Sequence, residues 1–246
     1  MEGIEWHVTA LDSTQSTNSY LDAMDRDTPQ PEGCVVTARA QLAGRGQRGN
    51  SWEAAPGENL TFSYLLRPAG IAPQEQFVLS QAVSLAVVDV LSQYAEGFSV
   101  KWPNDIYYHD SKIAGILIEH TLSEGRIGRT IVGIGLNVNQ LAFLSDAPNP
   151  ISLREITGMQ YDLDELLQRL LEATSRRYAM CLMSRDELQS DYMSVLYRRE
   201  GVYWYRDKEG LFEASIERVC PDGMLLLRDV GGAERRYAFK EVAFIL

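Results

Sequence analysis

Short runs of alternating or wholly apolar residues recur along most of the chain, with two longer stretches of helical spacing between them. The short runs predict strands at residues 6–11, 34–38, 59–66, 99–102, 106–108, 112–119 and 129–138. Residues 73–94 are apolar on nearly every face, which predicts a long helix in the core. A leucine stripe from Leu163 to Tyr178 predicts another helix, with Asp162 as its N-cap. The pattern therefore indicates a fold of mixed strands and helices.

The segment between the first two predicted strands is polar at both ends and periodic in the middle. Residues 12–18 form a loop that leads into a helix near Tyr20, and Ser16, Thr17 or Asn18 can cap it. Capping alone explains these three residues. The free N–H groups of such a helix start also attract a small polar ligand. Residues 25–31 are polar and contain proline, which predicts a surface connection, and residues 146–150 predict a loop.

The pattern changes near residue 200. A helix is predicted at 186–197, and short β-type runs follow at 202–205, 211–219, 224–228, 235–239 and 242–246. Turn residues separate these runs, which fits a small all-β barrel. We therefore predict two domains, residues 1–198 and residues 199–246.

Composition narrows the class of protein. The chain has 246 residues and a net charge of −11, so general nucleic-acid binding is not expected, because a polyanion needs a basic face. The three cysteines are far apart and indicate buried thiols rather than a disulfide framework or a zinc site. No apolar run is long enough to span a membrane, and the first residues are acidic where a leader would be basic. These features favour a cytoplasmic enzyme.

One local concentration of positive charge contrasts with this acidic background. Residues 41–52 (QLAGRGQRGNSW), called the Gly/Arg loop below, contain three glycines that can turn backbone N–H groups into one concavity. Arg45 and Arg48 add forked donors suited to phosphate or carboxylate. The loop does not match the common nucleotide-binding fingerprints. Taken alone, it fits an oxyanion site and a solvated hairpin tip about equally well.

Four elements occur together in a fixed order: the Ser-Thr-Asn run, the Gly/Arg loop, the segment 101–105 (KWPND) with Lys112, and the segment 133–137 (GIGLN). In this order and spacing, from about Ser16 to Asn139, they closely resemble the biotin–protein ligases. The resemblance implies an α+β fold, with a mixed sheet like that of the class II aminoacyl-tRNA synthetases followed by a small SH3-like barrel.

The resemblance also implies a two-step reaction. Biotin and MgATP would give biotinyl-5′-AMP and pyrophosphate, and a specific lysine of a biotin carboxyl carrier domain would then attack the mixed anhydride. The first step brings a carboxylate to an α-phosphate, so cations and backbone donors must neutralise two anions. ATP and biotin are therefore the implied substrates, Mg²⁺ is expected with the nucleotide, and the carrier protein is the implied partner.

Family positions suggest the roles of individual residues. Biotin binding is implied for Ser16, Thr17, Asn18, Gln41, Gly44, Lys112, Gly115 and Leu117. Nucleotide binding is implied for Arg45, Gly46, Gln47, Arg48, Gly49, Trp52, Asn104 and Asn137. Catalytic roles are implied for Lys112, Arg48 and Asp105. The metal ligands stay unknown, and the resemblance leaves two roles open for Asp105, at magnesium or at the incoming lysine. Considered singly, Lys112 reads as a surface lysine and Asp105 as a turn former.

Two departures from the better-known bacterial form bear on function. That form has arginine where this loop has Gln47 and another basic residue at Asn50, so this loop holds less positive charge and retention of the adenylate is expected to differ. Members that also act as repressors carry an N-terminal helix-turn-helix, whereas the ligase-like sequence here starts almost at Met1. We therefore expect a monofunctional ligase without DNA binding. A homodimer is expected by family analogy only. The alternative functions are a lipoate-type protein ligase and a catalytically silent biotin or nucleotide sensor.

Overall fold

The computed structural model describes residues 3–144 and 149–245, apart from the side chain of Arg48. A seven-stranded sheet forms the larger layer, in the spatial order β1-β2-β3-β7-β6-β5-β4. Its strands are β1 His7–Thr14, β2 Cys34–Gln41, β3 Leu60–Leu66, β4 Phe98–Lys101, β5 Asp105–Tyr108, β6 Ser111–Ser123 and β7 Arg126–Leu136. Strand β1 runs parallel to β2 and every other pair is antiparallel, which confirms the predicted mixed sheet.

Helices cover the sheet and build the core. They are α1 Thr17–Asp27, α2 Phe77–Leu91, α3 Leu153–Thr157, α4 Leu163–Met183 and α5 Arg185–Ser194. Helix α2 is buried along nearly its whole length and packs against α4, α5 and the β4–β5 hairpin. Helix α1 packs on β2, β3 and β7. The predicted cap of α4 is confirmed, because the Asp162 carboxylate accepts from the backbone N–H groups of Asp164 and Glu165.

Several boundaries differ from those predicted. Strand β1 continues through the polar residues to Thr14, since it is a mostly exposed edge strand and needs no apolar alternation there. Ser16 occupies the N-cap position of α1 but makes no side-chain capping bond. The prediction of a surface connection from residue 25 was wrong, because α1 continues to Asp27 and Asp25 is buried between Arg67 (2.8 Å) and Arg129 (2.9 Å).

The predicted helix at 73–94 is confirmed in its centre and too long at both ends. A 3₁₀ turn at Pro73–Glu75 precedes α2, which ends at Leu91. Helix α5 likewise ends at Ser194, three residues before the predicted end. The loop predicted at 146–150 lies mostly outside the described residues, as does Leu246 at the end of the last predicted β-type run.

A second, five-stranded antiparallel sheet follows the helices, in the order β11-β10-β9-β8-β12. Its strands are β8 Tyr203–Asp207, β9 Gly210–Val219, β10 Leu225–Asp229, β11 Glu234–Tyr237 and β12 Ala243–Phe244. It packs on the larger domain through Trp102, whose indole N–H donates to the carbonyl of Gly223 (2.9 Å) and whose ring meets Phe239 edge-on. The SH3-like barrel and the domain boundary at residue 198 stay predictions.

The three cysteines are buried and unpaired, as predicted. Across residues 3–144 and 149–245, no helix is long and apolar enough to cross a membrane.

Candidate active site

A cavity of about 1150 Å³ opens between the faces of β6 and β7, the start of α1, the Gly/Arg loop and the second sheet. It exceeds the roughly 300–1,000 Å³ typical of small-molecule sites. The predicted site residues that line it are Ser16, Thr17, Asn18, Gln41, Arg45, Gly46, Gln47, Gly49, Trp52, Asn104, Asp105, Lys112, Gly115, Leu117 and Asn137. The structure thus brings residues far apart in sequence to one place.

Glycines on β6 and β7 form the floor of the cavity. Gly115 pairs with Gly135 across the two strands, and Leu117 pairs with Gly133. A methyl group at Gly133 would lie 2.0 Å from Oδ1 of Asn18, and the positions above Gly115 and Gly135 are occupied by the indole of Trp52. The absence of side chains at these positions therefore lets two site residues rest directly on the strand backbones.

Neutral hydrogen-bonding groups gather at the α1 end of the floor. The backbone N–H of Thr17 donates to Oε1 of Gln41 (2.8 Å), and the Thr17 hydroxyl lies 3.2 Å from the same oxygen. The buried Ser63 hydroxyl lies 2.7 Å from Oγ1 of Thr17 and 2.5 Å from Oδ1 of Asn18. These contacts give the cavity wall fixed, uncharged donors and acceptors, which suit a neutral polar ligand such as a urea.

Lys112 and Asp105 form an ion pair that lines the cavity, with Nζ 2.7 Å from Oδ1. Both side chains are about one quarter exposed, at 26% and 24%, so the pair is partly shielded from water and still open to a ligand. Lys112 Nζ also lies 5.8 Å from the ring centroid of Trp52. A single lysine therefore contacts both an acidic side chain and the aromatic residue on the floor.

Two buried polar atoms mark the far end of the floor. Neither Nε1 of Trp52 nor Oδ1 of Asn137 has a hydrogen-bond partner within the described part of the chain. The Asn137 amide nitrogen donates to the carbonyl of Ile151 (3.1 Å), which fixes its orientation. Since buried polar atoms are nearly always paired, an unpaired donor and acceptor suit a polar heterocyclic ligand.

The Gly/Arg loop folds back on itself as a small hairpin. Arg45 forms an isolated bridge with Ser51, and the N–H of Gly46 donates to the carbonyl of Asn50 (2.7 Å). The Arg45 guanidinium makes a forked pair with Glu119, at 3.0 and 2.8 Å. The role predicted for the Arg48 side chain lies outside the described residues.

Two predicted site residues have structural partners that bear on their roles. Gly44 does not line the cavity; a methyl group there would lie 2.6 Å from the carbonyl oxygen of Trp52, so its lack of a side chain serves loop packing. The Asn104 side-chain amide donates to the carbonyl of Ile116 (2.8 Å), and the Asn104 backbone carbonyl accepts from the N–H of Ile116 (2.9 Å). That pair joins the KWPND turn to β6.

No site role was predicted for the second sheet, and none for Lys101 individually, although Lys101 begins the KWPND segment. The cavity is also lined by Ala243 and Phe244 of β12 and by Phe239, Lys240 and Val242 of the connection between β11 and β12. Lys101 donates to the hydroxyl of Tyr107 (2.9 Å) and lies near the rings of Tyr107 and Phe244. Burial lowers the pKa of Lys101, and the nearby Asp105 charge opposes that shift. No local sequence motif predicts that residues near the C-terminus form one wall of the cavity.

Comparison with known proteins places this arrangement in a family. Residues 10–137 match the model of the "Biotin/lipoate A/B protein ligase family". The chain is 30% identical to the bifunctional ligase/repressor BirA of Bacillus subtilis, in an alignment of length 247 that covers 93% of this chain and 70% of that protein. The chain belongs to this family.

Other relatives are similar to the chain in sequence or structure over most of their length. The biotin–[acetyl-CoA-carboxylase] ligase of Mycobacterium tuberculosis is 31% identical over 223 residues, covering 89% of this chain and 82% of that one. Among solved structures, the biotin protein ligase of Aquifex aeolicus in complex with biotin and ATP superposes with a TM-score of 0.75 at 27% identity, covering 96% and 97% of the two chains. The structural similarity therefore includes the five-stranded sheet as well as the seven-stranded one.

Proposed function

We propose that the protein is an ATP-dependent biotin–protein ligase, which forms biotinyl-5′-AMP and transfers biotin to a lysine of a carrier domain. The observation that carries the proposal is the position of the Lys112–Asp105 pair on a cavity with neutral donors at one end and unpaired Trp52 and Asn137 atoms at the other. Named biotin ligases among the relatives support the same chemistry.

The geometry suggests how each part acts. Gly133 and Asn137 are four residues apart on one extended segment, about 14 Å, so the floor accommodates a ligand with two different ends. Thr17 and Gln41 would hold the ureido ring, while Trp52 and Asn137 would hold the purine. Lys112 would exchange Asp105 for the biotin carboxylate and the α-phosphate, which neutralises two anions as they approach.

Transfer to the carrier needs a neutral amine at the acyl carbon. Lys112 beside the phosphate would stabilise the charge that develops on the carbonyl and on the leaving AMP. Asp105, released from Lys112, would then be free to accept the proton of the incoming ammonium. The same pair would thus serve both steps.

Magnesium is best assigned to the nucleotide. The described residues contain no group of three His, Cys, Asp or Glu side chains placed to hold a metal. Mg²⁺ commonly binds through substrate phosphates and keeps several waters. We therefore treat MgATP as the substrate.

Pyrophosphate release separates this proposal from a lipoate-type ligase. With MgATP, biotin should stimulate release, and a large excess of lipoate should not replace biotin or compete with it. Stimulation by lipoate alone would assign the protein to the lipoate branch of the family. Binding of biotin without any pyrophosphate release would instead indicate a sensor.

A further inference from the structure

Glu119 holds together two parts of the site that are far apart in sequence. Its Oε2 accepts from the Asn18 amide (2.8 Å) and from the Arg45 guanidinium (2.8 Å), and its Oε1 accepts from the other arm of Arg45 (3.0 Å). Asn18 belongs to α1 and Arg45 to the Gly/Arg loop. One carboxylate therefore joins the helix start to the loop.

These contacts connect six residues in a network called the polar ring: the side chains of Arg45, Glu119, Asn18, Ser63 and Thr17, and then Gln41, whose Oε1 accepts from the backbone N–H of Thr17. A hydroxyl carries a single proton, so when Ser63 donates to Oδ1 of Asn18, the Thr17 hydroxyl must donate to Ser63. That order orients the Asn18 amide with its nitrogen toward Glu119. Every member therefore has a defined donor or acceptor role.

The ring begins and ends in the same segment. Gln41 and Arg45 are four residues apart in the Gly/Arg loop, and the backbone N–H groups of Leu42 and Ala43 between them donate to the carbonyls of Thr14 and Gln15 (both 2.9 Å). Side chains and backbone together thus attach the first half of the loop to the residues that precede α1. The hairpin tip, residues 46–50, lies outside these contacts.

We propose that Glu119 is a positioning residue for the biotin end of the cavity. It fixes Asn18 and Arg45, and through the ring it sets the orientation of Thr17 and Gln41 before a substrate binds. The role is geometric, since the Arg45 and Glu119 side chains are 44% and 40% exposed and such exposed pairs contribute little to folding stability. The proposal rests on the proposed biotin-ligase function.

The test compares Glu119→Gln with Glu124→Gln, which removes the same charge from the exposed turn of the same β6–β7 hairpin. In the full chain, E119Q should weaken biotin binding by about tenfold or more, measured by calorimetry, and raise KM for biotin in pyrophosphate release. The kcat at saturating biotin should change by less than about threefold, and E124Q should match wild type. An unchanged biotin affinity in E119Q, or an equal loss in E124Q, would overturn the proposal.

Two further measurements separate positioning from general damage. In an Arg45→Met background, E119Q should add little further loss, because residues that act through one contact are not additive. Ser63→Ala interrupts the ring elsewhere and should weaken biotin binding in the same direction, which keeps the proposal testable if E119Q is poorly folded. Full additivity in the cycle, or wild-type affinity in Ser63→Ala, would contradict it.

Amide exchange distinguishes failure of this proposal from failure of the proposed function. In ligand-free protein, E119Q should exchange faster than wild type at Leu42 and Ala43, whether or not the protein binds biotin. Faster exchange in a protein that does not bind biotin would support the ring while refuting the ligase. Unchanged exchange would refute the ring directly.

Discussion

The indole of Trp52 lies directly on Gly135: a methyl group there would be 2.2 Å from Cε2 of the ring. Two residues earlier on β7, a methyl group at Gly133 would be 2.0 Å from Oδ1 of Asn18. The same strand thus supports both ends of the site, and each glycine serves a different residue. Substitutions at the two glycines should therefore affect the binding of nucleotide and the binding of biotin separately.

Gly135→Ala should impair nucleotide binding in preference to biotin binding, because Trp52 must leave the floor. We expect KM for ATP to rise about tenfold or more, equivalent to roughly 1.4 kcal/mol of binding. Gly133→Ala is the matched variant, and its displacement of Asn18 should instead raise KM for biotin. Steady-state pyrophosphate release at varied ATP and biotin measures both. If both variants changed the two KM values equally, the division of the floor would be wrong.

Replacement of Lys112 should affect chemistry more than folding. Lys112→Met removes the cation that would neutralise the carboxylate and phosphate, so the rate of adenylate formation should fall by about 10²–10³-fold, roughly 3–4 kcal/mol in the barrier. Exchange of labelled pyrophosphate into ATP measures this step. Lys208→Met, at an exposed turn between β8 and β9, is the control and should retain activity. A Lys112→Met protein that forms adenylate as fast as wild type would show that Lys112 does not take part in this step.

The Gly/Arg loop should not move as one unit. The Leu42 and Ala43 N–H groups donate hydrogen bonds to the segment before α1, whereas at the exposed hairpin tip the Asn50 N–H donates within its own turn, to the carbonyl of Gln47 (3.3 Å). In ligand-free protein, hydrogen exchange should therefore be slow at the first two amides and fast at that of Asn50. Biotin with MgATP should slow exchange at the tip, since closure over the adenylate excludes water. Uniform protection of the whole loop without ligand would contradict this difference between the base of the loop and its tip.

His120 should make stability depend on pH. Burial lowers the pKa of its imidazole from about 6.5, the unfolded value, while Nδ1 lies 2.9 Å from the Thr130 hydroxyl. Between the folded and unfolded pKa values the unfolded chain binds more protons, so the free energy of unfolding falls as pH decreases through that window. Urea unfolding at about pH 7.5 and about pH 5 should show a smaller difference for His120→Gln than for wild type. If the two proteins lost the same stability between these pH values, His120 would not be the cause of the pH dependence.

Much of the fold was predictable because it depends on local patterns. Alternation located the strands of the main sheet, and the buried face of α2 was clear from residues 77–91. Boundaries were less certain, since an exposed edge strand such as β1 continues into polar residues without losing its backbone bonds. Asp25 appeared to be a surface residue because its partners, Arg67 and Arg129, are 42 and 104 residues away.

The site was predictable only in part, for a related reason. The glycines at 133 and 135 belong to a segment that the family resemblance singled out, and Asn18 and Trp52 rest on them in the structure. Arg45 and Glu119 are 74 residues apart, so the sequence around neither residue could predict that they pair. The contribution of Phe244 and its neighbours depends on how the second sheet packs, which no short motif encodes.

Transfer of biotin to a carrier lysine is the central claim, and intact-protein mass spectrometry tests it most directly. The full chain, biotin, MgATP and the organism's own biotin carboxyl carrier domain should add one biotinyl group to the carrier. A carrier whose acceptor lysine is replaced by arginine should stay unmodified. Absence of the added group on the unaltered carrier, under conditions where a known biotin ligase modifies it, would contradict the account.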